Sequence, residues 1–170
     1  MSLYHFSDEP GIEVFVPRPP IARPEVEPLV WAVDAEHAWT YLFPRDCPRV
    51  LLWKTSQTND TDWRRWAGAN ETERVAAVEW HWFERLKSQR LYRYRFEADL
   101  FRPMDDDPWM YVSRDAVRPD GMEVIGDLVK SLAESGVELR FMPSLRPFRG
   151  AWQSTVHFSG IRLRNAVGWE

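Results

Sequence analysis

Eight short runs rich in apolar residues recur along this chain, at 3–6, 12–16, 29–33, 49–53, 75–79, 91–96, 109–113 and 137–141, and none is longer than a single strand. Prolines, glycines and acidic turns close them, as at Asp8-Glu9-Pro10-Gly11. Residues 91–96, Leu-Tyr-Arg-Tyr-Arg-Phe, alternate apolar with basic, the pattern of a strand with one face in water. Helical signals are fewer. Asp34 suits the cap of a helix over 35–43, and Thr61 that of a short helix through Trp66 stopped by Gly68. A further turn or two is expected over 82–87. The clearest helical periodicity lies at 123–134, with Val124, Leu128, Val129 and Leu132 on one face and Gly136 just beyond. The tail, 151–165, reads as weakly helical. Many short strands with scattered helices predict an α+β fold, with a mixed, largely antiparallel sheet and short flanking helices rather than a doubly wound parallel sheet.

A chain of 170 residues suffices for one domain with its own core, expected to span 1–170. The proline-rich stretch 17–24 reads as a stiff crossing loop, not a boundary. The net charge of −4 does not recommend a nucleic-acid partner. Arg90, Arg93 and Arg95, like Arg162 and Arg164, fit a solvated face as well as a basic patch. Cys47 is the one cysteine, so no intramolecular disulfide is available. The first residues lack a basic start and an apolar run, and no stretch is long enough to span a bilayer, so a cytoplasmic location is expected. Ten tryptophans, nine phenylalanines and five tyrosines are many, and suit a core or the walls of a cleft.

Candidate site residues cluster early. His5 stands mid-strand, where its two ring nitrogens could hold a ribose hydroxyl or a phosphate; the plainer alternative is a half-buried ring satisfied by a backbone carbonyl. Arg45 and Arg49 flank Asp46-Cys47-Pro48, and a guanidinium fork matches a phosphate or carboxylate. Alternatively, Asp46 pairs with one of them and the loop is architectural. Cys47 would be a nucleophile only with a base beside it; an inert buried thiol is the commoner case. Glu36, His37, His81, His157 and Asp105-Asp106-Asp107 show no metal-ligand spacing, so no metal is expected. No phosphate-binding glycine loop or nucleophile elbow is present.

Leu3-Tyr4-His5-Phe6-Ser7, Val30-Trp31-Ala32-Val33-Asp34, Pro44-Arg45-Asp46-Cys47-Pro48-Arg49 and Tyr111-Val112-Ser113 together resemble a family of small bacterial proteins known only as a domain of unknown function. That resemblance brings no activity with it. The first two segments, with the late strand near Tyr111-Val112 and the following Pro119, also resemble the layout of ADP-ribosyltransferase-type folds, which cradle NAD in a split antiparallel sheet. The resemblance implies that His5 contacts the ribose of NAD and that Trp31 stacks on the nicotinamide. Many of those transferases place a glutamate or glutamine just before the aromatic of the late strand. Here Met110 precedes Tyr111 and cannot do that work. The resulting expectation is a cleft for NAD or a related nucleotide-type anion, lined by His5, Trp31, Arg45, Arg49 and Arg18. The alternative is a non-catalytic interaction module with a Trp-rich core. A nuclease or RNA-modifying role would need a basic cleft.

Overall fold

The computed structural model describes residues 1–20 and 24–170. Residues 21–23, within the expected crossing loop, lie outside them. The chain divides into two compact units, each built from two separate stretches: Met1–Leu42 with Arg90–Ile125, and Phe43–Gln89 with Gly126–Glu170. In chain order the strands are β1 (Ser2–Ser7), β2 (Val30–Asp34), β3 (Arg49–Trp53), β4 (Arg74–Glu79), β5 (Leu91–Glu97), β6 (Arg102–Pro103), β7 (Met110–Ser113), β8 (Gly121–Ile125), β9 (Glu138–Met142) and β10 (His157–Ile161). The α-helices are α1 (Asp60–Trp66), α2 (Phe83–Ser88) and α3 (Leu128–Glu134). The α+β class holds, but the strands form two sheets rather than one.

The first unit is a six-stranded antiparallel sheet ordered β6-β7-β2-β1-β5-β8. On one face, Leu3, Val30, Ala32, Tyr94 and Phe96 bury against Phe15 and Val117. Phe15 packs edge-on to Tyr94 and Phe96, at 5.0 and 5.2 Å between ring centroids. The segment crossing that face is tied down by three sets of bonds. The Tyr94 hydroxyl donates to the Glu9 carbonyl (2.7 Å) and accepts from the Ile12 N–H (3.1 Å). Phe15 and Val117 exchange backbone bonds of 2.8 and 2.9 Å, and Arg18 and Leu29 exchange longer ones. The strand expected at 12–16 is therefore only a bridge at Phe15. With Gly11 before it and Pro17 after, and a tyrosine hydroxyl taking the Ile12 amide, no ladder extends from it.

The second unit is a four-stranded sheet ordered β10-β3-β4-β9, antiparallel except for the parallel pair β4–β9. Val50, Leu52, Val75 and Ala77 on one face bury with Trp63, Leu145, Phe148 and Val156. The cap of α1 is Asn59, two residues before the expected Thr61: its side chain accepts from the Asp62 N–H at 2.8 Å. The Asp62 carboxylate in turn accepts from the Thr155 backbone N–H (2.8 Å) and hydroxyl (2.7 Å). These bonds hold the Asp62 carboxyl below the usual carboxylate range, the Thr155 backbone bond contributing most. A carboxylate lowered on folding stabilises the fold above its unfolded pKa, and that contribution is lost as pH falls through the folded value. Asp62→Asn should therefore lower the melting temperature near neutrality and shrink the difference from wild type on acidification. A difference that grows with acid would overturn this assignment.

Three expected helices are corrected. Over 35–43 there is only a turn and a 3-10 helix, Ala38–Tyr41. Asp34 Oδ1 does take the His37 N–H (2.7 Å), but the Thr40 hydroxyl returns to the His37 carbonyl (2.8 Å), and Pro44 follows. Such local side-chain bonds compete with a helix. The 123–134 helix is cut in two: its first residues form β8 on β5, and α3 starts only after Asp127, which is left-handed at φ 45° and caps Lys130. In the tail, His157–Ile161 pairs with all five residues of β3, so a strand replaces the middle of the expected helix, with short 3-10 helices at Ala151–Gln153 and Leu163–Asn165 on either side. Tertiary pairing overrides weak local preference here.

Candidate functional site

Strands β1 and β5 are registered through six residue pairs, from Ser2↔Glu97 to Ser7↔Tyr92. Strands β1 and β2 share only two, Leu3↔Asp34 and Tyr4↔Val33. Beyond Tyr4 that ladder ends, and there a half-open cleft of about 100 Å3 lies between the two strands. Tyr4, His5 and Phe6 of β1, Trp31, Ala32 and Val33 of β2, Tyr41 and Met110 line it. Directly opposed residues of a sheet share a face. The register thus puts Tyr4, Phe6, Trp31, Val33 and Met110 on the face opposite the Phe15 core. Phe6 stacks on Tyr41 at 6.3 Å with 15° between the rings, and the Tyr41 hydroxyl donates to the Met110 sulfur at 3.4 Å. The wall is aromatic and thioether, chemistry that favours a flat, weakly polar group. At about 100 Å3 the space is smaller than the roughly 150 Å3 apolar cavity that accepts benzene, so it takes a ring only in part, the rest lying in its open mouth.

His5 belongs by alternation to the other face, with Leu3 and Ser7, and its ring lies 4.9 Å from that of Phe15. Its Nδ1 sits 2.8 Å from the Trp31 carbonyl oxygen. Only a donor can face a carbonyl, so Nδ1 carries the proton, and in the neutral ring Nε2 is the acceptor. The imidazole thus bonds the strand that β1 no longer pairs with. This is the plainer alternative raised for His5, a ring satisfied by a backbone carbonyl. It also places the ring at the cleft's edge. His5 and Trp31 meet through that carbonyl, while the indole itself projects onto the aromatic face.

The arginines divide between the units. Arg18 is exposed and is held by its backbone beside Leu29, two residues before Trp31. Arg45 and Arg49 belong to the second unit. Arg45 is exposed in the turn closed by the Cys47 N–H on the Pro44 carbonyl, and its own carbonyl accepts from Arg162. Arg49 is only 3% exposed; it donates to the Cys47 carbonyl (3.1 Å) and lies 4.9 Å over the Phe43 ring. That guanidinium is engaged inside the unit, and the Asn165 side-chain amide donates to the Asp46 backbone carbonyl at 2.9 Å.

Cys47 is fully buried, and burial pushes its thiol up to about 12, with nearby Glu79 adding to the rise and Arg49 and Arg85 opposing it. A neutral, enclosed thiol is a poor nucleophile. A thiol raised on folding leaves stability intact below its unfolded value and erodes it as pH climbs toward 12. At pH 8 iodoacetamide should label Cys47 only after unfolding in urea; rapid labelling of the native protein would contradict this burial. Among the described residues, no group of three or more His, Cys, Asp or Glu side chains could hold a metal ion. Among the same residues, no helix is long and apolar enough to cross a membrane.

Of the residues lining the cleft, sequence reasoning named His5 and Trp31 and missed the aromatic ones Tyr4, Phe6 and Tyr41, as well as Ala32, Val33 and Met110. Tyr4 and Phe6 flank His5 at i±1, so the alternation of β1 carried the signal for both. Tyr41 had no such signal, because its segment was expected to be helical.

With this arrangement established, comparison places the chain in a group. It belongs to a family of unknown function (DUF6886), matched over residues 4–166. No curated protein and no solved structure matches it.

Proposed function

We propose that the cleft where β1 and β2 part receives the ring of NAD or a related nucleotide. The observation that carries this reading is the aromatic and thioether wall that Tyr4, Phe6, Trp31, Tyr41 and Met110 form around one small open cleft, with His5 at its edge on the Trp31 carbonyl. Stacking on an aromatic wall is worth about 1–3 kcal/mol per base and tolerates many ring types. None of the eight lining residues is acidic, and Met110 stands where an ADP-ribosyltransferase-like site would carry its glutamate. Ligand binding is therefore the primary role. Any transfer at the nicotinamide ribose would proceed by orientation and charge placement rather than through a covalent enzyme intermediate.

A thermal-shift titration with NAD, ADP-ribose and an RNA ending in a 2′-phosphate tests this. A saturable rise that Trp31→Ala removes is expected with at least one of them. No response to any would favour the interaction-module reading. That second reading has its own observation: Trp80 and Trp152 of the second unit are 58% and 66% exposed. It requires concentration-dependent association that Trp80→Ser or Trp152→Ser weakens.

A further inference from the structure

The strand next to the cleft's aromatic wall presents two arginines on the same face. Tyr4 is paired directly with Arg95, and Phe6 with Arg93. Both arginines therefore project on the side that carries Tyr4, Phe6, Trp31 and Met110, one strand away from the cleft. The Arg93 guanidinium lies 4.9 Å over the Tyr4 ring, so it already leans toward the cleft wall. Arg93 is ion-paired with Glu123, its partner across β5–β8, and Arg95 bonds Asp120 at 2.7 Å. These pairs are open to water: the side chains of Arg93 and Arg95 are 31% and 51% exposed, and those of Glu123 and Asp120 54% and 31%. Surface pairs of this kind are weak, so an incoming anion can displace the carboxylates at small cost. Arg45 and Arg49, the arginines suggested by sequence, belong to the second unit.

Resting on the cleft reading above, we infer that Arg93 and Arg95 form the anion-binding part of the site and that its ligand is a ring joined to a phosphate. Neighbouring strands lie about 4.8 Å apart, so a ring between β1 and β2 is roughly 7 Å from β5. That span suits a mononucleotide, with its ring in the cleft, its sugar over β1 and its phosphate on the two guanidinium groups. A guanidinium fork can grip phosphate oxygens through two parallel bonds, whereas a lysine at either position could not.

The experiment is a titration, followed by tryptophan fluorescence, with two matched pairs of probes: nicotinamide riboside with its mononucleotide, and adenosine with AMP. In the wild-type protein the phosphorylated member of at least one pair should bind about tenfold or more tightly, as expected for charge-assisted bonds. Added salt should narrow that gap. Arg93→Gln with Arg95→Gln should bring the two members of that pair within about twofold of each other. If that double variant melts early, Glu123→Gln decides instead, since it releases Arg93 and should tighten only the phosphorylated probe. Equal binding of both members in wild type, or no effect of Glu123→Gln, overturns the assignment of the arginines and leaves the cleft standing. If no probe binds, the cleft reading falls and this inference with it.

Discussion

Phe96→Ala is expected to destabilise the protein by about 3–5 kcal/mol, the range for truncating a buried phenylalanine, and to lower its melting temperature by roughly 6–20 °C. Phe96 is fully buried, opposes Leu3 across β1–β5, and meets Phe15 edge-on at 5.2 Å and Phe101 at 5.3 Å. Its removal takes away the floor on which the 8–18 segment rests, and the neighbouring rings cannot all close the gap. Against a typical total stability of about 5–15 kcal/mol, this loss is large. Urea denaturation monitored by tryptophan fluorescence measures it. A change below about 1 kcal/mol would mean that Phe15 and Phe101 refill the space, and that this core is softer than its packing implies.

Replacing His5 has the second largest expected effect, because one side chain serves two ends. His5→Ala leaves the Trp31 carbonyl without its imidazole donor, at a cost of about 1–3 kcal/mol. It also opens the edge of the cleft, so the ligand-dependent rise in melting temperature should vanish. His5→Asn, whose side-chain amide N–H lies near the place of the imidazole Nδ1 and can still donate to that carbonyl, should recover most of the stability without recovering the ligand response. If His5→Ala melts lower yet keeps the wild-type response to ligand, the histidine is a fastener between two parting strands and no more.

The elements that carry the site were legible in the chain because they obey short-range rules. The strand expectations at 3–6, 29–33 and 91–96 match β1, β2 and β5 to within one residue, each a short apolar-rich run. Once β1 is a strand, its period of two puts Tyr4 and Phe6 on one side and Leu3 and His5 on the other. The failures share a cause. Residues 123–125 carry helical periodicity, yet β5 offers them a ladder, and Asp127 can turn the chain left-handed to begin α3 late. Residues 157–161 have little strand signal, but β3 supplies a complete edge.

Local sequence determined the α+β class, the strands on which His5 and Trp31 sit, and the isolation of Cys47 from disulfide chemistry. Only the tertiary structure decided where the arginines lie. In sequence, Arg45 and Arg49 stand out because prolines bracket them, whereas Arg93 and Arg95 read as an ordinary solvated face. Strand register buries Arg49 and sets Arg93 and Arg95 opposite Phe6 and Tyr4. Register depends on which strands become neighbours, and β1 and β5 are more than 80 residues apart along the chain, a separation no local pattern can encode.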